Sequence, residues 1–135
     1  MESGSLRSIS NRVLVADDNP AIQGLYKEIL TRQGYQVSVA ATAGQAVDIV
    51  RTETIAAVVL DVRMPGDFGG DAVVEAVSAK APVIVVSGAG DEKLEHQIMA
   101  NGAFAFLRKP FNMNDLIKIV RAAVDGSLPP EMRLR

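Results

Sequence analysis

Cysteine is absent from this chain, so neither a disulfide nor a thiolate metal site can form. Histidine is nearly absent: the single His96 cannot build a histidine-rich metal centre, and any metal must be held by oxygen. No apolar stretch approaches the ~20 residues of a membrane span, and Met1 to Ser10 lacks the apolar core of a signal peptide. Nor is there a large excess of either charge. Fourteen Lys and Arg against sixteen Asp and Glu give a net charge of −2, which argues against a nucleic-acid-binding surface. Internal repeats and low-complexity segments are missing as well. A cytoplasmic protein with no membrane contact is expected.

The 135 residues fit one domain, able to bury roughly two thirds of the surface of its unfolded chain. Hydrophobic residues make up 48% and charged residues 22%, ordinary values for a globular protein. Four separated fragments end an apolar run in a charged or hydroxyl residue. They are Val13-Leu14-Val15-Ala16-Asp17-Asp18, Val58-Val59-Leu60-Asp61, Val83-Ile84-Val85-Val86-Ser87 and Phe104-Ala105-Phe106-Leu107-Arg108-Lys109-Pro110. Continuous runs bounded by turn residues read as strands buried on both faces, the mark of a parallel sheet covered by helices. Ligands of such sheets bind outside the C-terminal strand edge. Three aspartates, one serine and one lysine should meet there.

Between these runs the chain reads as helices. Asn19-Pro20 is a helix start, with Asn as cap and Pro at the first helical position, followed by Ile22, Leu25, Tyr26, Ile29 and Leu30 at helical spacing and closed by Gly34. Tyr35 to Val39 alternates apolar and polar residues, as a half-exposed edge strand does. Thr42 and Gln45 form a capping box for a helix from about Ala43 to Glu53. A small-residue helix with Val73, Val74 and Val77 follows the Gly- and Pro-rich loop Met64 to Gly70. A weakly amphipathic helix spans Glu92 to Ala100, with His96 on its polar face, and Asn101-Gly102 ends it. Asn112 and Asp115 signal a last helix with Leu116, Ile117, Val120 and Val124 on one face and Gly126 after it. The whole is five βα units.

Asp17 and Asp18 stand side by side, with Asp61 expected on the neighbouring strand. A helix-capping role for the pair is the alternative, weakened because Asn19 already serves as the cap and a third carboxylate converges on the same place. Three crowded carboxylates repel, so either one protonates or a cation joins them. A hard divalent cation with oxygen ligands suits this inventory, and Mg²⁺ is the natural choice. Ser87 can donate to a phosphate oxygen, Lys109 supplies a point charge for phosphate, and the amides of Gly88 and Ala89 add donors. Asp61 is then a carboxylate nucleophile able to form an aspartyl phosphate.

In these residues the chain resembles the receiver domains of bacterial two-component response regulators. The likeness spans about Arg12 to Val124. It rests on Asp17-Asp18, on Asp61 followed by Arg63-Met64-Pro65-Gly66, on Ser87-Gly88 and on Lys109-Pro110-Phe111. The resemblance implies that Asp61 accepts a phosphoryl group from a histidine kinase or histidine phosphotransfer protein. It implies Mg²⁺ ligation by Asp18, Asp61 and the main-chain carbonyl of Arg63, with Asp17 acting through water. It places Ser87 at the switch hydroxyl and Phe106 at the switch aromatic, and it makes a cis Lys109–Pro110 bond common. The expected fold is a flavodoxin-like, doubly wound (βα)5 sandwich with strand order 2-1-3-4-5, its second strand at one edge and the continuous apolar strands inside.

Several positions depart from the common pattern. Phe68 stands where the loop usually has Asp, Phe106 where many members have Tyr, and Arg63 and Ala89 occupy the two positions that tune hydrolysis of the acyl phosphate. The resemblance implies a signalling switch rather than an enzyme. Its partners would be the kinase and either an output domain or a second receiver, met through the face of the fourth helix, fifth strand and fifth helix, where Met99, Met113, Ile117 and Phe106 lie. A Mg²⁺-dependent phosphohydrolase with an aspartyl-phosphate intermediate is the alternative. It would need an acid/base Asp two residues after Asp61, where Arg63 stands, and room for a specificity cap. A flavodoxin-like FMN binder would need a Ser/Thr-rich loop where Asp17-Asp18-Asn19-Pro20 sits. The expected organisation is a leader over residues 1–10, a receiver domain over 11–126, and a tail or linker over 127–135.

Overall fold

A computed structural model describes residues 10–62, 70–88 and 92–127 of the chain. The elements follow in strict alternation: β1 (Arg12–Ala16), α1 (Pro20–Arg32), β2 (Gln36–Ala40), α2 (Ala43–Thr52), β3 (Ala57–Asp61), α3 (Gly70–Ser78), β4 (Val83–Ser87), α4 (Glu92–Ala100), β5 (Ala105–Arg108) and α5 (Met113–Asp125). All four ladders are parallel and the strand order is β2-β1-β3-β4-β5. The doubly wound fold expected from the sequence is the one formed.

Alternation along each strand divides the core into two layers. Leu14, Val58, Leu60, Val83 and Val85 face α2, α3 and α4, with Phe106 packed partly against them. Val13, Val15, Val59, Ile84 and Val86 face α1 and α5. Burying each such side chain is worth roughly 1.5–3 kcal/mol. Exposed ion pairs such as Arg32–Glu28, 2.6 Å apart on α1, contribute about 0–1 kcal/mol, so the sheet core holds the fold.

The helix starts follow their caps. The Asn19 side chain accepts from the Ala21 and Ile22 amides, Thr42 from Gln45 and Asn112 from Asp115. Gln45 reaches back to the Ala41 amide at 2.7 Å, one residue before the cap, a shifted form of the expected capping box. Two expected core positions differ. Leu25 is 43% exposed, because the buried stripe of α1 centres on Tyr26 and Leu30 and leaves Leu25 at its rim. In α5 the buried residues are Leu116, Ile119, Val120, Ala122 and Ala123, and Ile117 lies at the boundary. Both shifts follow from where the sheet lies under each helix, which periodicity alone does not fix.

Candidate functional site

The C-terminal ends of β1, β3, β4 and β5 gather the chemistry-bearing residues. Asp17 directly follows β1 and is only 3% exposed, while Asp18 beside it is exposed to solvent. Asp61 ends β3, half-buried, next to β1 in the sheet. One carboxylate oxygen from each of Asp17, Asp18 and Asp61 lies within 4.8 Å of the others. The three aspartates picked out by sequence form one cluster.

Local hydrogen bonds hold Asp17 in place. Its amide donates to the Ala40 carbonyl at 3.0 Å, its Oδ1 accepts from the Asn19 amide at 2.9 Å, and its carbonyl accepts from Gln23 Nε2 at 2.5 Å. Burial pushes the Asp17 carboxyl above the ordinary carboxylate range. The Asn19 amide pulls it back, the charge of Asp61 raises it, Lys109 lowers it and Asp18 raises it again. Burial and like charge together outweigh the two favourable contacts. A cation held by the three oxygens would remove that cost, and an all-oxygen donor set of this size fits a hard divalent ion.

Ser87 ends β4, 1% exposed, and pairs in register with Arg108 of β5. The Lys109 amide donates to the Ser87 carbonyl at 2.9 Å, which fixes the lysine beside the serine, and the Lys109–Pro110 bond is cis. The charge of Lys109 reaches Asp17, so the lysine stands on the acidic side of the sheet edge. Gly88 follows Ser87 at the surface with open space where a side chain would begin. Such an edge brings three clustered carboxylates, a buried hydroxyl and an ammonium to neighbouring strand ends, the kinds of group that transfer of a phosphoryl group requires. Phe106 stands on β5 opposite Val85, partly buried toward α4. Arg63, Phe68 and Ala89 lie outside the described residues.

Two residues near the acids escaped the sequence reading. Gln23 binds the Asp17 carbonyl, and Tyr26 is buried close enough to Asp17 and Asp61 for both charges to act on it. Their spacing after Asn19 puts all three on one helical face, a signal that was present but indistinguishable from core periodicity. At the far end of the sheet edge Arg108 Nε donates to Glu95 Oε1 at 3.1 Å, tying β5 to α4. Among the described residues no helix is long and apolar enough to cross a membrane.

Comparison with known proteins supplies the context. The family model of the response regulator receiver domain matches residues 13–121. The transcriptional regulatory protein PdtaR of Mycobacterium tuberculosis is 34% identical over 119 residues, covering 87% of this chain and 58% of that protein. This chain therefore spans little more than half the length of that relative. Among solved structures, a CheY-like response regulator receiver domain protein from Methanospirillum hungatei is 30% identical with a TM-score of 0.80, over 88% of this chain and 96% of that one. A response regulator from Burkholderia pseudomallei, with a phosphorylated aspartic acid, a calcium ion and citrate, is 25% identical with a TM-score of 0.73, over 84% and 65% of the two chains.

Proposed function

The chain belongs to the response regulator receiver domain family, and on that premise we propose that Asp61 is its phosphoacceptor, charged by a histidine kinase or a histidine phosphotransfer protein. Accepting a phosphoryl group on aspartate is general to the family. The observation that carries the assignment is the position of Asp61, at the end of the central strand β3 with its carboxylate in one cluster with Asp17 and Asp18. The Burkholderia relative, whose structure holds a phosphorylated aspartic acid and a calcium ion, supports the same chemistry here.

In this reading Asp18, Asp61 and the Arg63 carbonyl would hold Mg²⁺, with Asp17 contributing through water. When bound, Mg²⁺ neutralises the charge of the incoming phosphoryl oxygens. An Asp61 carboxylate oxygen attacks phosphorus as the bond to the donor's histidine nitrogen breaks. Lys109, the Ser87 hydroxyl and the Gly88 amide receive the phosphoryl oxygens. The domain catalyses only its own phosphorylation and dephosphorylation, working in the cytoplasm as a switch. An output domain or a second receiver would read the state through the α4–β5–α5 face. In this reading the receiver spans residues 11–126.

The test uses a small acyl-phosphate donor with Mg²⁺. One phosphoryl group, labile to hydroxylamine, should appear by intact mass on the wild type and be absent from Asp61→Asn. Equal labelling of the Asn variant would remove Asp61 from the role.

A further inference from the structure

Of the two buried side chains of α1, Tyr26 and Leu30, only Tyr26 carries a polar atom. Tyr26 is 3% exposed, yet its hydroxyl makes no hydrogen bond to any described residue. Buried polar groups without partners are rare and costly, and each calls for a reason. Two observations place this residue beside the pocket. Burial, then the charges of Asp17 and Asp61, push the Tyr26 ionisation up to about 12, so the phenol is within electrostatic range of both carboxylates. Its ring also meets Phe111, with centroids 6.4 Å apart and planes tilted by 43°, and Phe111 lies two residues beyond Lys109. Tyr26 thus touches the segment that carries the lysine and feels the charges of the acids.

We propose that Tyr26 is a positioning residue of the pocket: its hydroxyl donates to a buried water whose two hydrogens donate to Asp17 and Asp61, while its ring seats Lys109-Pro110-Phe111 beside them. A water with three polar partners is the usual kind of buried water. Such a bridge is nearly as good as a direct hydrogen bond. The phenol acts as the donor here, because a water that gives both its hydrogens to carboxylates can only accept from the hydroxyl. The water's hydrogens restrain two like-charged carboxylates, whose separation sets the fit to a small divalent ion.

The inference rests on the reading of Asp17, Asp18 and Asp61 as the cation and phosphoryl site. Calorimetric titration with Mg²⁺ of the wild type, Tyr26→Phe and Tyr26→Leu tests it, together with thermal melts in the absence of Mg²⁺. Tyr26→Phe should bind Mg²⁺ about 3- to 10-fold more weakly, the worth of one hydrogen bond. Its melting temperature without Mg²⁺ should stay within about 2 °C of the wild type. Tyr26→Leu should show the same affinity loss and, lacking the ring contact, a lower melting temperature. A hydroxyl that only packs would leave the Mg²⁺ affinity of Tyr26→Phe at the wild-type value, and that result overturns the inference whatever Tyr26→Leu does. A wild type that takes up no Mg²⁺ overturns the site reading itself, and with it this inference, before any variant is compared.

Discussion

Asp17 is held above the ordinary carboxylate range first by burial, then by the charges of Asp61 and Asp18, against the pull of the Asn19 amide and Lys109. The folded state thus binds the Asp17 proton more tightly than the unfolded chain, whose value lies near 3.8. For such a group the contribution to stability is fully present below 3.8 and is lost as the pH rises through the folded value. At neutral pH the ionised carboxylate therefore works against folding unless a cation joins it. Asp17→Asn should raise the melting temperature by a few degrees at pH 7 without Mg²⁺, and the gain should shrink as the pH falls toward 4. Added Mg²⁺ should stabilise the wild type more than the variant, which keeps the Asp18 and Asp61 ligands but has lost one of the three charges. Melts across that pH range, with and without Mg²⁺, check both signs; a variant less stable than the wild type at pH 7 would contradict the account.

Among the elements, the junction of α3 and α4 is fixed by a close approach. Gly102 follows α4 with φ +105°, and a Cβ built there would stand 2.9 Å from Ser78 Oγ. That hydroxyl in turn donates to the Asn101 carbonyl at 3.1 Å, so the end of α3 clasps the turn after α4. Gly102→Ala should cost about 2 kcal/mol from the backbone conformation and the contact together. Combining it with Ser78→Ala should recover only the contact part, and a double-mutant cycle by chemical denaturation measures the coupling. The turn itself was legible as Asn101-Gly102, as were the caps Asn19, Thr42 and Asn112, because each depends on residues within a few positions. The strand runs were legible for the same reason, and so was the convergence of Asp17, Asp61, Ser87 and Lys109, since parallel strands share an edge. Leu25, Ile117 and the hydroxyl of Tyr26 were not. Their surroundings are made by elements far along the chain, and a helical period says which residues share a face without saying where that face stops.

Across the whole molecule, the pocket reaches the outer surface through β4 and β5. Ser87 is buried at the end of β4, pairs with Arg108, and accepts the Lys109 amide. Two residues before Arg108, Phe106 packs partly beneath α4, and the Arg108 side chain is paired with Glu95 on the same helix. A phosphoryl group on Asp61 would offer new acceptors to the Ser87 hydroxyl. Drawing that loop inward would free space for the Phe106 ring to turn and would shift the surface around α4. A ligand moves such an equilibrium only by its preference for one state, so the hydroxyl is the coupling element. Ser87→Ala should still accept phosphate while losing most of the response at Phe106. NMR shifts of Phe106 and residues 92–107, with and without a phosphoryl mimic, measure it; full wild-type shifts in the variant would mean that the coupling takes another route.

The groups of the pocket stand at the ends of four different strands, and the chain between Asp17 and Lys109 is most of the molecule. No local fragment contains two of the three strand ends that bear Asp17, Asp61 and Lys109, so an unfolded or half-made chain has no pocket to offer. Whatever binds there binds the native state alone, and its affinity adds to folding stability by mass action. Competence to be charged is therefore a report on completed assembly. A newly synthesised or heat-damaged copy is silent until its last strand, β5, has docked beside β4. A pool of such chains would transmit in proportion to the number correctly folded rather than the number made.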